Sequence, residues 1–253
     1  MSQKVSLVVP IYNEAPHLQA FLQKLDKIDL GVPKELVFVD DCSKDESRAI
    51  LGRFSFTSEY KIIHQPVNRG KGAALRTGIE QATGSIIGIQ DADFEYDMAD
   101  IPQLISPIVS GQCDVVYGSR FKKSASQVHR TFHYLINRFL TIASNALCGL
   151  YLTDMETCYK FFRAEIIKNI HLTSDRFGFE PEITAKIARL NVRVHEYPIS
   201  YPPRTYIEGK KITWKDGIAA MWHIVYFNAV ANKKDFFKRS MDTKLIPGRY
   251  QWL

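Results

Sequence analysis

Short apolar runs alternate with helix-like segments through the first half of this chain, and this alternation limits its possible folds more than any other feature. The runs have the length of buried strands; they are residues 5–9, 35–39, 61–64, 85–90 and 114–118. The segments between them have apolar side chains at helical spacing, as in residues 15–28, or a start signal such as Ser43 with Glu46 three residues later. Strands alternating with helices predict an α/β fold, with a mainly parallel sheet covered by helices on both faces.

The second half of the chain is less regular. Residues 132–147 and 181–190 are predicted helices, and residues 192–196 are a predicted short strand. No internal repeat, low-complexity segment or clear linker is present. We therefore predict one domain over residues 1–211 and a C-terminal appendage over residues 212–253, formed by an amphipathic helix and a basic tail.

Two carboxylates, Asp91 and Asp93, directly follow the fourth apolar run. Side chains at i and i+2 of a strand start on the same side, and a turn after the strand would aim both at one point. Hard divalent cations such as Mg²⁺ bind one or two such carboxylates and take further oxygens from phosphates. Glu95 adds a third possible ligand. This pattern predicts a metal site at a strand end, although paired acids also occur in ordinary turns.

The positive charge of the chain is concentrated at its C-terminal end. The net charge is +6, and residues 204–253 hold ten Lys and Arg against four Asp and Glu. Residues 217–232 carry none of these four residue types and precede a basic cluster, but they are too few to span a bilayer, which needs about 20 apolar residues. An apolar helix beside basic residues fits a membrane interface. The alternatives are a helix packed on the domain and a solvated tail.

The cysteines and the N-terminus indicate a reducing compartment. The four cysteines have no C-x-x-C spacing, which argues against a zinc ribbon, and the histidines show no ligand spacing. The apolar run at residues 5–9 is too short for the core of a signal peptide. We expect a cytoplasmic protein. No nucleic-acid-binding motif accompanies the basic end, so we expect no nucleic-acid partner, and no pattern indicates an oligomeric state.

Four motifs occur in a fixed order; they are VVPIYNE at 8–14, VDD at 39–41, NRGKG at 68–72 and DAD at 91–93. Together they resemble the family 2 glycosyltransferases, and more closely the branch of dolichol-phosphate mannose synthase and other polyprenyl-phosphate glycosyltransferases. The resemblance covers residues 4–215. It implies the GT-A nucleotide-diphospho-sugar transferase fold, with a Rossmann-like, mainly parallel sheet.

The resemblance also implies which residues bind the donor. Asp91, Asp93 and Glu95 would hold Mg²⁺ or Mn²⁺ against the diphosphate, with Asp91 and Asp93 catalytic, and Glu182 would orient a hydroxyl of the donor sugar. The expected nucleotide-binding residues are Pro10, Tyr12, Glu14, Asp41, Gly70, Lys71, Ala92, Arg204 and Lys211. The glycines of NRGKG would let backbone N–H groups approach a ligand at a helix start. The P-loop pattern is absent, which argues against an ATPase or kinase.

The acceptor residues are implied by two further matches. Arg120 follows the fifth run; in the family branch this arginine faces the acceptor phosphate, and the resemblance implies that it is catalytic together with Asp91 and Asp93. Arg130 and Arg138 are candidates to assist it, since guanidinium groups bind phosphate with two parallel hydrogen bonds. Asp154 opens DMETCYK at residues 154–160, where relatives have D-x-x-S-G-F-[KR], so the fourth and fifth positions depart from the family pattern.

These expectations combine into one functional hypothesis with two alternatives. The chain is expected to be an inverting hexosyltransferase that uses GDP-mannose or a UDP-hexose and a polyprenyl phosphate such as dolichyl or undecaprenyl phosphate. It would act peripherally at the cytoplasmic face of a membrane. The first alternative is a transferase of the same fold with a soluble or glycan hydroxyl acceptor. The second is a non-catalytic protein that binds nucleotide sugars.

Overall fold

A seven-stranded sheet runs through the structure, a computed structural model that describes residues 3–122, 131–176, 178–201 and 214–246. The strands are β1 (Val5–Ile11), β2 (Lys34–Asp40), β3 (Glu59–His64), β4 (Ile86–Ile89), β5 (Val115–Ser119), β6 (Lys160–Arg163) and β7 (Val194–Pro198). The helices are α1 (Ala15–Lys27), α2 (Ser47–Arg53), α3 (Lys71–Gln81), α4 (Ile101–Val109), α5 (Thr131–Cys148), α6 (Ala164–Ile167), α7 (Phe179–Ile187) and α8 (Trp214–Val225).

The strands lie in the order β3-β2-β1-β4-β6-β5-β7. β1 to β4 form one parallel block, in which Val8 lies between Val37 of β2 and Ile89 of β4. β6 is antiparallel to both of its neighbours, β4 and β5, and β7 is parallel to β5. The predicted, mainly parallel α/β sheet is therefore confirmed. The sequence analysis did not predict β6, whose four residues give little periodic signal.

The core lies on both faces of the sheet, and the strands of its centre carry almost no exposed surface. Val5, Leu7, Val8 and Val9 of β1 are fully buried, as expected for a strand covered by helices on both faces. The helices begin and end close to their predicted bounds, with one correction. α2 begins at Ser47 rather than after Ser43, because the Ser43 hydroxyl accepts a hydrogen bond from the backbone N–H of Asn13 instead of capping the helix.

The C-terminal segment packs against the domain. α8 and α5 bury Leu140, Met155, Ala220 and Ile224 between them. A π-helical turn over Tyr226–Val230 continues α8. The chain then returns to the sheet domain, where the carbonyl of Phe236 accepts from the backbone N–H of His171 at 2.9 Å. One side of α8 therefore packs on the domain, as in the alternative that the sequence analysis gave for this segment. The predicted boundary at residue 211 lies outside the described residues.

Within the described ranges, none of the helices combines the length and the apolar character that a membrane crossing requires.

Candidate active site

The carboxyl ends of β1, β2 and β4 meet at one edge of the sheet. Ile11 pairs with Asp40 at the end of β2, and Val8 pairs with Ile89 at the end of β4. Because these three strands are parallel, the segments that follow them leave the sheet side by side. Those segments contain most of the predicted donor residues, namely Tyr12 and Glu14 after β1, Asp41 after β2, and Asp91, Ala92 and Asp93 after β4, with Pro10 as the last residue but one of β1.

An ion-pair network surrounds the first carboxylate after β4. The Lys71 ammonium donates to Oδ2 of Asp91 at 2.9 Å and lies 3.0 Å from Oε1 of Glu180. Burial opposes the charge on Lys71, but the two carboxylates raise its pKa well above its usual value. Lys71 is the first residue of α3, so the predicted Lys71 is brought to Asp91, and α7 contributes Glu180 to the same place.

Asp93 and Glu95, the other two predicted metal ligands, take part in hydrogen bonds outside the Lys71 network. Asp93 accepts from the backbone N–H of Glu95 at 3.2 Å, and Glu95 accepts from the Tyr201 hydroxyl at 2.6 Å. Among the residues that the structure describes, no group of three His, Cys, Asp or Glu side chains is close enough to hold a metal ion. Asp91 and Asp93 are hard oxygen donors and fit Mg²⁺ or Mn²⁺ when a diphosphate supplies further ligands. The Tyr201 hydroxyl occupies an oxygen of Glu95, so it would compete with a cation for this third predicted carboxylate.

Asp41 holds the glycine-containing loop before α3. Its carboxylate accepts from the Asn68 side chain at 2.9 Å and from the backbone N–H groups of Arg69 and Gly70 at 2.9 and 2.7 Å. Gly70 has φ +100°, and a Cβ there would lie 2.6 Å from the carbonyl oxygen of Asp175, so this position requires glycine. Asp41 therefore fixes the loop geometry, and its contact with a nucleotide stays a prediction.

Arg120 and Asp154 form a buried ion pair with two parallel hydrogen bonds. Nε and Nη2 of Arg120 each donate to one carboxylate oxygen at 2.7 Å, and the backbone N–H of Arg120 donates as well, at 3.0 Å. The guanidinium also lies over the Tyr201 ring, 5.1 Å from its centroid. Burial disfavours the cation, but Asp154 raises the pKa of Arg120 well above its usual value. The structure therefore brings the predicted Arg120 and Asp154 together.

Arg138, one of the two arginines predicted to assist Arg120, contacts the loop that carries Asp154. Nη1 of Arg138, on α5, donates to the carbonyl oxygen of Thr153 at 3.2 Å. Glu196 of β7 holds the same loop, since its Oε1 accepts from the backbone N–H groups of Thr153 and Asp154. The other three predicted cations, Arg130, Arg204 and Lys211, lie outside the described residues.

The proposed role of Glu182 at a donor sugar needs correction. Glu182 has no exposed surface. Its Oε1 accepts from the backbone N–H and hydroxyl of Thr173, both at 2.8 Å, and its Oε2 accepts from the backbone N–H of Ser174 at 2.8 Å. It also forms a buried pair with Lys186 of the same helix at 2.5 Å. Glu182 is an internal brace between α7 and the preceding loop, and a sugar hydroxyl has no open oxygen to reach.

Sequence reasoning missed Glu180 and Tyr201. Glu180 stands two residues before Glu182, and helical geometry turns these two positions to different sides, so the pattern indicated the helix but not which carboxylate faces Lys71. Tyr201 follows β7 after three residues, and only the tertiary fold brings its hydroxyl to Glu95 and its ring to Arg120. Its position three residues before Arg204, a predicted nucleotide-binding residue, was the one available signal.

Two helices beside the arginines carry exposed apolar side chains. On α5, Leu135, Phe139 and Ile142 are exposed, and Phe139 reaches 64%. On α8, which packs against α5, Ile218 and Trp222 are 62% and 60% exposed. We call these five residues the apolar face. Exposed apolar side chains clustered on packed elements are typical of a surface that meets another molecule or a membrane.

The family model "Glycosyl transferase family 2" matches residues 6–170. Dodecaprenyl-phosphate galacturonate synthase from Rhizobium johnstonii is 28% identical over 216 residues, which are 81% of this chain and 61% of that protein. Dolichyl-phosphate beta-glucosyltransferase ALG5A from Trichomonas vaginalis is 28% identical over 228 residues, 82% of this chain and 68% of that protein. This chain therefore spans between 61% and 68% of the length of these two relatives.

Solved structures share the fold at low sequence identity. Glucosyl-3-phosphoglycerate synthase from Mycobacterium tuberculosis, in complex with Mn²⁺, UDP and glucosyl-3-phosphoglycerate, superposes with a TM-score of 0.68 at 17% identity over 91% of this chain and 81% of that chain. S. aureus TarS with UDP-GlcNAc gives a TM-score of 0.58 at 17% identity over 91% of this chain and 68% of that chain. These similarities confirm the predicted GT-A fold. The family match over residues 6–170 covers more than half of the chain and establishes that this chain belongs to glycosyl transferase family 2.

Proposed function

We propose that this chain transfers a hexosyl unit, with inversion, from a nucleoside diphosphate sugar to a polyprenyl phosphate. The relatives described above are named for polyprenyl-phosphate substrates, and two further ones are undecaprenyl-phosphate 4-deoxy-4-formamido-L-arabinose transferases. The donor is GDP-mannose or a UDP-hexose. The related complexes with UDP and Mn²⁺ or Mg²⁺ support a divalent cation.

One observation supports the choice of acceptor: Arg138 and three residues of the apolar face lie on the same helix, α5. Arg138 extends from α5 to the loop that holds the Arg120–Asp154 pair. Other positions of the same helix, including Phe139, expose apolar side chains to solvent. A polyprenyl phosphate carries a phosphate directly on a hydrocarbon chain. A guanidinium group beside an apolar helix matches both parts of such a molecule.

The chemistry that this acceptor requires is modest. A phosphate monoester is already an anion near neutral pH, so it needs positioning more than a general base. Arg120 and Arg138 would hold the acceptor phosphate, and Lys71 would interact with the donor diphosphate near Asp91. A divalent cation held by Asp91 and Asp93 would neutralise the charge that develops on the leaving nucleoside diphosphate.

Peripheral attachment to the cytoplasmic face of a membrane follows from the same proposal. The apolar face would enter the interface, and the basic residues near the C-terminus would favour anionic lipid headgroups. Phe139→Ser with Trp222→Ser should therefore weaken co-sedimentation with vesicles of phosphatidylglycerol and phosphatidylcholine. Val67→Ser serves as the matched control, because Val67 is also exposed, at 57%, but lies on neither helix. Equal binding by all variants would remove the apolar face from the proposal.

The function is tested with labelled UDP-glucose, UDP-galactose and GDP-mannose, each with Mn²⁺ and either undecaprenyl phosphate, dolichyl phosphate or 3-phosphoglycerate. We expect label to enter the lipid phase with one donor, and Asp93→Ala to abolish this transfer while leaving the thermal melt unchanged. Arg120→Ala should raise the KM for the acceptor far more than the KM for the donor.

Three outcomes would redirect the proposal. Transfer to 3-phosphoglycerate without lipid would favour a soluble acceptor. Nucleotide binding with no transfer to any acceptor would favour a binding protein. Full activity of Asp93→Ala would contradict the metal assignment.

A further inference from the structure

Two adjacent residues in the loop between α5 and β6 each have a buried side-chain oxygen that lacks a hydrogen-bond partner. These oxygens are Oε1 of Glu156 and the hydroxyl oxygen of Thr157. Among the described residues, Glu156 contributes the only carboxylate oxygen in this condition. A buried acceptor without a partner costs about 1–3 kcal/mol, so such atoms are uncommon in native proteins. A bound ligand that donates hydrogen bonds would remove this cost.

The loop that carries these atoms touches both halves of the site. At its start, Asp154 binds Arg120 on the acceptor side. At its end, the thiol of Cys158 donates to the carbonyl oxygen of Ile89 at 4.0 Å, and Ile89 is the last residue of β4, two positions before Asp91 on the donor side. Glu156 is the middle residue between these two anchors. Glu156 therefore lies in a loop that contacts both the predicted acceptor arginine and the end of β4 that leads to Asp91.

The loop is rigid enough to present these atoms in a fixed position. Lys160, the first residue of β6, is fully buried, and its ammonium donates to the carbonyl oxygens of Met155, at 3.0 Å, and of Thr157. The backbone N–H of Cys158 donates to the Tyr96 hydroxyl at 3.1 Å. These bonds fix the backbone on both sides of Glu156 and leave its Oε1 unbonded.

The surrounding charges define what kind of ligand suits Glu156. Burial, and next the carboxylate of Glu180, raise the pKa of Glu156 to about 7, while Lys160 and Arg120 act in the opposite direction. Asp154 adds a further negative charge nearby. The charges around Glu156 are of both signs, because Lys160 and Arg120 accompany Glu180 and Asp154. A neutral group with several hydroxyls would donate a hydrogen bond to Oε1 without adding charge.

We propose that Glu156 binds a hydroxyl group of the sugar that is transferred. Glu156 thereby takes the role that the sequence analysis gave to Glu182. The inference rests on the proposed function, because it requires a nucleotide sugar as donor. It adds a residue that recognises the sugar part of that donor, as distinct from the nucleotide and the diphosphate.

The test compares donors with and without the sugar. Affinities for UDP, UDP-glucose, GDP and GDP-mannose are measured by isothermal titration calorimetry with Mn²⁺, without acceptor. A hydrogen bond to a charged group corresponds to a loss of about tenfold or more in affinity. Glu156→Ala should therefore weaken binding of the preferred nucleotide sugar by about that factor, with a smaller loss for Glu156→Gln. The affinity for the matching nucleoside diphosphate should change less than about twofold.

A control and a second measurement separate recognition from folding. Glu165→Gln changes an exposed carboxylate on α6 and should leave all four affinities unchanged. Glu156→Gln should also raise the Tm of the ligand-free protein, because it neutralises a buried carboxylate whose Oε1 lacks a partner. A structural brace would instead lose stability.

The outcomes distinguish this inference from the proposed function. Equal losses for the nucleotide sugar and its nucleoside diphosphate, or no loss for either, would overturn the role of Glu156 while leaving the transferase proposal intact. If the wild-type chain binds none of the four nucleotides, both proposals fail together.

Discussion

The buried pair of Arg120 and Asp154 makes a quantitative prediction for the variant Asp154→Asn. Both side chains are almost without exposed surface, and the two side-chain hydrogen bonds are 2.7 Å long. Asparagine keeps the shape of aspartate but leaves the guanidinium as an uncompensated buried cation. Breaking a buried ion pair in this way costs about 3–5 kcal/mol. Because asparagine retains one oxygen acceptor, we expect a loss near the lower bound.

The loss is large enough to measure by thermal unfolding. A change of 1 kcal/mol shifts the Tm of a chain of this size by about 2–4 °C, so Asp154→Asn should lower the Tm by about 6–12 °C. The matched control is Lys24→Gln, which breaks an exposed pair with Asp97, 3.0 Å apart, and should change stability by about 1 kcal/mol or less.

The same variant tests whether Arg120 faces an anion. If it does, inorganic phosphate or farnesyl phosphate should stabilise Asp154→Asn more than the wild type, because the added anion replaces the lost carboxylate. Differential scanning fluorimetry over a phosphate titration measures this difference, with sodium chloride at equal ionic strength as reference. A Tm loss as small as that of Lys24→Gln would refute the buried pair. Identical phosphate effects on both proteins would refute an acceptor site at Arg120.

Three further predictions concern other parts of the structure. Tyr201→Phe should change the Mn²⁺ dependence of activity, because it removes the hydroxyl that bonds Glu95. Tyr201→Ala should in addition raise the KM for the acceptor, because it removes the ring from Arg120. If the two variants have the same kinetics, the hydroxyl and the ring do not have these separate roles. Burial raises the pKa of Glu35, but hydrogen bonds from neighbouring hydroxyls, an amide and a lysine lower it to about 2. This group therefore stabilises the fold above pH 4.5, and its contribution, about 3 kcal/mol at most, should be lost between pH 4.5 and 2 in urea titrations; a curve identical to that of Glu35→Gln would contradict it. The Lys186 ammonium lies over the rings of Phe227 and Phe236 in the C-terminal segment, 5.2 and 5.0 Å from their centroids. Lys186→Met should therefore leave Glu182 as an unpaired buried carboxylate and expose the C-terminal segment to limited proteolysis. An unchanged digestion pattern would show that Lys186 does not hold this segment.

The sequence alone was sufficient for the parallel half of the fold. Runs such as residues 5–9 and 85–90 are apolar because both faces of their strands are buried, so their length and composition indicate central strands directly. Parallel strands also bring their carboxyl ends to one edge, which is why the order of the motifs located Asp91 and Asp93 beside the ends of β1 and β2. These are local patterns read through a general rule of sheet geometry.

The antiparallel half depended on long-range contacts. β6 has four residues and lies between β4 and β5. It pairs with β4 about 75 residues earlier in the chain and with β5 about 45 residues earlier, and no local pattern encodes such pairing. The exposed and buried sides of α8 could not be separated for a similar reason. Residues 217–232 carry no Asp, Glu, Lys or Arg that would mark a solvent side, and the packing of α8 on α5 decides which side remains exposed.

The roles of individual carboxylates were decided by tertiary structure. The sequence identified an acidic site and a helix over residues 181–190 that carries Glu182 and follows Glu180, because residue types and spacing determine which groups are available. Only the folded chain showed that Glu182 is saturated by a neighbouring loop while Glu180 reaches Lys71, and that Glu156 keeps a buried oxygen without a partner. The physical reason is that a carboxylate functions according to the donors and charges around it, and those come from segments that are distant in sequence.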